Sequence, residues 1–256
     1  MIYRSSQVGT AKTCIAKSYF KYHLGLVPKG SNGKNPDLFF GSAVHDAIEI
    51  YLQEGIEKAN EMLDSLDWPS RTPKTKAIAK ILLNLFRLKF KDKMLFTEKY
   101  FEIEISKDMT LKGKYDLIAE NSSGIYVGEH KTTNPLYLMF KPNDQFISYY
   151  IASQVDFDGI DKVVIYNLDP NSMDINMSLV TFCQEEIDAW IKQTETFLHF
   201  YQHCVENDII VKNPGACLNF NRKCPYIELC SSTPSVMKML IEASFEINEE
   251  AKNLSW

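Results

Sequence analysis

The chain has 256 residues, of which 45% are hydrophobic and 24% are charged, a composition typical of a soluble protein of one domain, or one domain plus a small lobe. No apolar run approaches the ~18 residues of a membrane-spanning helix, so we expect a cytoplasmic protein without a membrane partner, bacterial or in the host cytoplasm if phage-encoded. Six cysteines in such a protein favour reduced thiols or a metal centre over disulfides. The net charge of -5 gives no direct support for nucleic-acid binding.

The first part of the chain predicts two helices. Residues 5–23 predict a helix that contains Cys14, which alone would be a buried thiol. After a connection rich in Gly, Pro and Asn, residues 39–66 predict a second helix with an apolar stripe at helical spacing. His45 adjoins that stripe, where a lone histidine is more often structural than functional.

A basic segment follows between residues 71 and 94. It has eight basic residues and one acidic residue, a local excess of seven positive charges, and we expect a basic helix over residues 71–96. The basic residues are Arg71, Lys74, Lys76, Lys80, Arg87, Lys89, Lys91 and Lys93. A stripe that binds phosphate groups and a solvated helix face have the same composition, so both interpretations stay open.

The central stretch predicts a β-hairpin. A strand over residues 98–106 precedes two further strands, 111–120 and 125–132, which flank a loop of Asn, Ser, Ser and Gly. This loop pairs Glu120 with Ile125, so Asp116 lies opposite Glu129. Lys131 is two residues further and shares their face.

Two facing carboxylates repel each other, at a cost of roughly 0.2 to 1 kcal/mol when exposed. A hard divalent cation between Asp116 and Glu129 would offset that cost, with Lys131 beside it for a developing negative charge. The alternative is an exposed hairpin whose charges are merely solvated. Apolar residues on both sides favour the functional interpretation.

The chain then predicts a helix from near Pro142, on which Gln145 and Tyr149 share a face. Two strands over residues 161–168 and 175–182 and a long helix over 185–207 follow. Cys183 and Cys204 are predicted to lie in the core.

The C-terminal segment is rich in cysteine. Cys217, Cys224 and Cys230 lie within fourteen residues, where we expect no regular helix or strand. Such a segment indicates a bound inorganic centre, and Cys14 is the candidate fourth ligand. Residues 234–256 predict an acidic amphipathic helix that docks on the body or meets a partner.

Five motifs taken together resemble a known family. The stretches GSAVHDAIE, LKGKYDLI, YVGEHKT and QFISYY, followed by C-x6-C-x5-C, are similar to the PD-(D/E)XK nuclease superfamily. The resemblance is specifically to its RecB-like branch with a four-cysteine iron-sulfur cluster, which includes the AddB nuclease domain and CRISPR-associated exonucleases. It implies an α/β fold (α+β, mixed sheet), with a restriction-endonuclease-like core flanked by helices. It also implies one domain over residues 1–256, in which 1–38 and 208–232 form an iron-sulfur-stapled helical lobe.

The resemblance also assigns roles residue by residue. It implies a Mg²⁺ or Mn²⁺ site on His45, Asp116, Glu129 and the His130 backbone carbonyl. Lys131, Glu129 and Asp116 would be catalytic, and Gln145 and Tyr149 would position substrate and lysine. Cys14, Cys217, Cys224 and Cys230 would ligate a [4Fe-4S] cluster. Many members space the last cysteines as C-x2-C-x5-C, so the wider gap here keeps zinc as the other occupant.

The implied function is a metal-dependent DNA nuclease, which we expect to be an exonuclease on single-stranded ends in recombination, repair or phage and CRISPR-related processing. We expect Lys17, Lys21, Lys74, Lys76 and Lys80 to contact DNA. Other expected partners are a second copy of the chain or a recombination or CRISPR protein. Two alternatives are a non-catalytic DNA-binding module with a structural cluster, and a zinc-stabilised or redox protein.

Overall fold

The computed structural model describes residues 1–30, 35–70, 72–132, 143–219 and 222–249. The chain divides into two compact units. The first comprises Met1–Asn32, Ile103–Lys112 and Gln184–Trp256, and the second comprises Gly33–Glu102 and Gly113–Cys183. None of the helices within the described ranges is long and apolar enough to cross a membrane.

Groups of helices and groups of strands follow one another along the chain. The strands are β1 (Ile2–Arg4), β2 (Leu26–Pro28), β3 (Lys93–Ser106), β4 (Met109–Asn121), β5 (Gly124–Lys131), β6 (Val163–Asp169), β7 (Asp174–Val180), β8 (Leu218–Asn219), β9 (Arg222–Lys223) and β10 (Phe245–Ile247). The α-helices are α1 (Ser5–Thr13), α2 (Ile15–Ser18), α3 (Pro36–Glu54), α4 (Ile56–Ser65), α5 (Lys76–Lys89), α6 (Asp144–Asp156), α7 (Gln184–Glu206), α8 (Ile227–Ser231) and α9 (Pro234–Ser244). A π-helix covers Tyr19–His23 and a 3-10 helix covers Pro214–Ala216.

The main sheet is mixed, as predicted. Its strand order is β1-β4-β5-β6-β7, and β3 also pairs with β4. The pairs β4/β5 and β6/β7 are antiparallel, whereas β5/β6 is parallel. The parallel pair needs a crossover, which contains α6. This confirms the predicted mixed α/β fold with a central sheet and flanking helices.

The core of the second unit forms between α3, α4, α5 and the sheet. Helix α5 buries its residues at helical spacing: Ala79, Leu82, Leu83 and Phe86 are all fully buried. They join Val44 and Ile48 of α3 and Tyr126 and Tyr166 of the sheet in one apolar cluster. This packing fixes α3, and with it His45, against the sheet.

Two predicted helices are interrupted. The helix predicted over residues 5–23 breaks at Cys14, which is extended at φ -163° and ψ 114°. The helix predicted over 39–66 breaks at Gly55, whose φ of 98° lies in the left-handed region that favours glycine. Both predictions were wrong about continuity because the apolar spacing continues across each break.

Other predicted boundaries also differ. The basic helix is shorter than residues 71–96: α5 begins after the Thr75 cap, and Lys93 already belongs to β3. In the tail, α9 ends at Ser244, and β10 pairs antiparallel with β2. Residue 71 and residues 250–256, the end of the predicted tail helix, lie outside the described residues. The cysteine-rich segment, predicted to be irregular, contains the short elements β8, β9 and α8.

Candidate active site and cysteine cavity

The central hairpin has the predicted register. Glu120 pairs with Ile125 and Leu117 pairs with Gly128, although the strands continue to Asn121 and Gly124, so the loop is only two residues long. Asn121 stabilises this turn, because its Oδ1 accepts hydrogen bonds from the Ser123 backbone and hydroxyl. The ladder of paired residues ends one residue before Asp116 and Glu129. At that end, the Asp116 carboxylate accepts a hydrogen bond from the His130 backbone N–H at 2.9 Å.

A hydrogen-bonded network joins β5 to α6. The Lys131 ammonium donates to Glu129 Oε1 and, at 2.9 Å, to Gln145 Oε1. The Gln145 amide in turn donates to Glu129 Oε1 at 2.8 Å and to the Tyr149 hydroxyl at 2.9 Å. The structure therefore brings these four predicted residues together, with Gln145 as the bridge.

Helix α6 is held at its N-terminus by Asn143. The Asn143 Oδ1 accepts hydrogen bonds from the backbone N–H groups of Gln145, at 2.9 Å, and Phe146, at 3.4 Å. This cap satisfies two of the unpaired N–H groups that begin any helix. It also fixes the backbone of the residue that bridges Glu129 and Lys131.

Two histidine side chains lie close to the Asp116 carboxylate. His45 Nδ1 lies 3.5 Å from Asp116 Oδ2, and His130 Nδ1 lies 3.7 Å from the same oxygen. The ligand atoms of these three side chains all lie within 4.8 Å of one another. Gly41 allows α3 to approach the end of β5, because a Cβ there would lie 3.1 Å from Thr132 Oγ1.

The charges of this site are largely buried. Glu129 is only 1% exposed, and burial and the neighbouring Asp116 carboxylate raise its pKa, opposed by Lys131. Burial lowers the pKa of Lys131, but the attraction of Glu129 outweighs it, so the net shift is upward. Burial and then the nearby His45 lower the pKa of His130 to about 3, so its ring is neutral at pH 7.

These residues fit a divalent cation. Glu129 Oε2 is buried and has no hydrogen-bond partner within the described part of the chain. A buried, unpaired carboxylate oxygen is costly, and a cation would relieve both this cost and the repulsion from Asp116. Carboxylate oxygens and imidazole nitrogens together suit Mn²⁺ and its neighbours as well as Mg²⁺.

The four cysteines of the predicted cluster lie in the first unit and line one cavity of ≈ 270 Å³. The two ends of the chain meet there: Asn213 Nδ2 donates to the Thr13 carbonyl at 2.8 Å, and the Ala16 N–H donates to the Val211 carbonyl at 2.9 Å. Burial and then the neighbouring Cys14 and Cys224 raise the pKa of Cys230 to about 11, and Lys212 opposes the rise. Cys14, Cys217, Cys224 and Cys230 are therefore electrostatic neighbours.

The described cysteines do not form a group whose sulfurs all lie close together. Among the described residues, the group of His45, Asp116 and His130 alone brings three ligand atoms within 4.8 Å of one another. Sulfurs around one tetrahedral zinc ion would lie about 3.8 Å apart.

The remaining cysteines divide between core and surface. Cys204 is 1% exposed on α7, as predicted. Cys183 is exposed, so its prediction as a core residue was wrong. It follows the end of β7, where the chain is leaving the sheet.

The predicted DNA-binding lysines are mostly occupied by other contacts. Lys74 pairs with Asp37 at 2.8 Å, while Lys76 and Lys80 both pair with Asp64, at 3.1 and 2.7 Å. Lys17 lines the cysteine cavity, and Lys21 lies over the Tyr22 ring. These ion pairs reduce the net positive charge along α5, which favours the solvated-face interpretation of that helix.

Sequence reasoning missed the imidazole of His130, to which it assigned only a backbone carbonyl. The side chains of a strand alternate, so His130 was expected to point away from Glu129 and Lys131. It does pack against Phe86 and Tyr166, in the core, yet its Nδ1 still reaches Asp116. The one available signal was that His130, the second histidine near the site, lies in the YVGEHKT motif, which already contained two predicted metal ligands, the Glu129 carboxylate and the His130 carbonyl.

The chain is similar to several solved structures at low sequence identity. Among solved structures, the chain resembles a "putative exonuclease" from Eubacterium rectale, with 10% identity, 90% of this chain and 93% of that chain covered, and a TM-score of 0.48. It also resembles an alkaline exonuclease from Laribacter hongkongensis, with 11% identity, 67% and 94% covered, and a TM-score of 0.33. A search of curated proteins gives no match.

The comparison with family models decides the assignment. The model for the PD-(D/E)XK nuclease superfamily matches residues 5–231, which include every predicted site residue. The chain therefore belongs to the PD-(D/E)XK nuclease superfamily.

Proposed function

We propose that the chain is a Mg²⁺- or Mn²⁺-dependent DNA nuclease that hydrolyses phosphodiester bonds as an exonuclease on single-stranded ends. The observation that carries this proposal is the buried Glu129, whose Oε2 has no hydrogen-bond partner among the described residues and lies beside a second carboxylate, Asp116. Its other oxygen is held by Lys131 and Gln145. Such an arrangement costs stability unless a cation completes it.

The residues of the site have separate roles in hydrolysis. A divalent cation held by Asp116, Glu129 and His45, with the His130 carbonyl, would supply Lewis-acid stabilisation of the scissile phosphate. Lys131 places a fixed positive charge beside it, where it orients the attacking water or neutralises the charge that develops in the transition state. Gln145 keeps Lys131 and Glu129 at a fixed separation, and Tyr149 holds Gln145.

The alternative, a non-catalytic DNA-binding module, explains less of this geometry. A module that only binds DNA needs no carboxylate beside the buried Glu129, and a neutral residue at position 129 would remove the repulsion. The ion-paired state of Lys74, Lys76 and Lys80 also weakens the main support for a binding role without chemistry.

Cleavage assays test the proposal. The substrates are end-labelled linear single-stranded DNA and circular single-stranded DNA, each with Mg²⁺, Mn²⁺ or EDTA. We expect the protein to degrade the linear DNA only, and Glu129→Gln, Asp116→Asn and Lys131→Met each to reduce the rate at least about 100-fold. Glu120→Gln is the matched control, since Glu120 lies at the far end of β4, where it pairs with the exposed Lys93. Full activity of Glu129→Gln, or activity in EDTA, would contradict the mechanism.

We further propose that Cys14, Cys217, Cys224 and Cys230 hold one [4Fe-4S] cluster. Their common cavity supports this, because all four thiols line it. The cluster would join the first helices to the C-terminal segment and stabilise that unit. Recombination, repair and phage or CRISPR-related processing are the pathways in which we expect the enzyme to act.

A further inference from the structure

We propose that the His130 imidazole, through Nδ1, is a direct ligand of the active-site cation, and that it makes the site select Mn²⁺ over Mg²⁺. This inference rests on the proposed function, because it concerns the same metal site. It adds a second imidazole, from β5, to the one that α3 supplies.

The distances around Asp116 support a shared cation. His45 Nδ1 and His130 Nδ1 lie 3.5 and 3.7 Å from Asp116 Oδ2, which is too long for good hydrogen bonds. Ligand atoms about 2.1 Å from one metal ion lie roughly 3.0 to 3.4 Å apart at octahedral or tetrahedral angles. A shift of a few tenths of an ångström would therefore bring each imidazole to the spacing from Asp116 that a shared cation requires, and the three ligand atoms already lie within 4.8 Å of one another.

The surroundings of His130 give the second argument. The residue is 3% exposed, and its ring contacts Phe86 and Tyr166 with centroids 5.1 and 5.7 Å apart. Its Nε2 has no hydrogen-bond partner among the residues that the structure describes. A ring that served packing alone would be better as phenylalanine, since a buried, unsatisfied nitrogen is costly. A ligand role for Nδ1 gives the imidazole a function that phenylalanine lacks.

The chemistry of the ligands then determines the metal. Mg²⁺ prefers oxygen ligands and keeps several waters, whereas imidazole nitrogen binds transition metals more strongly. With His45 and His130 both coordinating, the site offers two nitrogens beside its carboxylates. The second nitrogen should strengthen Mn²⁺ binding while giving Mg²⁺ little.

Calorimetric titration of the metal-free protein with MnCl₂ or MgCl₂ tests this inference. In His130→Phe, which keeps the ring and the backbone carbonyl, we expect Mn²⁺ affinity to fall about tenfold or more and Mg²⁺ affinity less than about threefold. The matched control is Tyr166→Phe, which alters the same aromatic cluster but removes no ligand, so its Mn²⁺ affinity should equal the wild type. Equal Mn²⁺ affinity in His130→Phe and wild type would overturn the inference.

A measurement on the unaltered protein keeps the test valid if the variant fails to fold. Pulsed EPR of the Mn²⁺-loaded protein, with histidine labelled with ¹⁵N, should show two coordinated imidazoles, and a single imidazole would overturn the inference. The proposed function fails separately: in that case the wild type neither binds Mn²⁺ nor cleaves DNA. Metal-dependent cleavage with one coordinated imidazole would reject the role of His130 alone.

Discussion

The side chain that does most to organise the site is the amide of Gln145. Its oxygen accepts from Lys131, and its nitrogen donates to both Glu129 and Tyr149. A carboxylate at this position could accept from Lys131 but could not donate to Glu129, and it would add a third negative charge. The amide therefore tolerates both charged neighbours, which explains why the site uses glutamine between a lysine and a buried glutamate.

The buried neutral ring of His130 predicts an acid sensitivity in the metal-free protein. Its folded pKa of about 3 lies below the ordinary value of 6.5, so below pH 6.5 the unfolded state binds a proton that the folded state does not. Stability is thus present above pH 6.5 and is lost as the pH falls towards 3. Between pH 7 and 5 this one group should cost about 2 kcal/mol of unfolding free energy.

Urea unfolding in EDTA at pH 7 and pH 5 measures this loss. Wild type should lose about 2 kcal/mol more than His130→Phe over that interval. The carboxylates titrate in both proteins. The raised pKa of Glu129 stabilises the folded state as the pH falls, which is opposite to the effect of His130, but it does so in both proteins. The effects of the carboxylates therefore cancel when the two proteins are compared. Identical pH dependence in the two proteins would show that His130 does not stay neutral.

At the scale of elements, the hairpin was predictable and the helix breaks were not. Alternating side chains and a short polar turn determine a register, and the predicted pairing of Glu120 with Ile125 is confirmed. At Cys14 and Gly55 the backbone leaves the helical conformation, and an apolar spacing that continues across both positions does not reveal this. Strands of three residues, such as β1 and β10, were missed because their partners are distant in sequence.

We expect the Asn143 cap of α6 to affect cleavage because it positions Gln145. Asn143→Ala should leave the first N–H groups of α6 unpaired, cost about 1 kcal/mol of stability, and slow DNA cleavage by displacing Gln145. Asn143→Asp is the control, because aspartate caps equally well. Thermal unfolding and single-turnover cleavage would measure the two effects. Wild-type cleavage by a destabilised Asn143→Ala protein would show that the cap serves stability alone.

For the whole molecule, the cysteine spacing suggested a bound centre with Cys14 as its candidate fourth ligand, and the family resemblance assigned all four cysteines to a cluster. Spacing alone marked Cys217, Cys224 and Cys230 as a group, but Cys14 lies some two hundred residues earlier. The structure places all four around one cavity, where backbone contacts such as that of Ala16 with Val211 already join the two ends. A centre in this cavity would close a very long loop, which is where such closure stabilises most.

The two-unit organisation of the chain predicts where loss of that centre is felt. Cys14→Ser should reduce the iron content from about four atoms per chain, since it removes one of four thiolate ligands. Amide hydrogen exchange should then rise in Met1–Asn32 and Gln184–Trp256, because the centre would otherwise hold these segments together, and change little in Gly113–Cys183. Mass spectrometry of anaerobically purified protein measures both quantities.

Cys183→Ser is the matched control, since Cys183 is exposed and lies outside the cavity lining. Zinc in place of iron would reject the cluster but keep its ligands, whereas unchanged metal content and exchange in Cys14→Ser would remove Cys14 from the site.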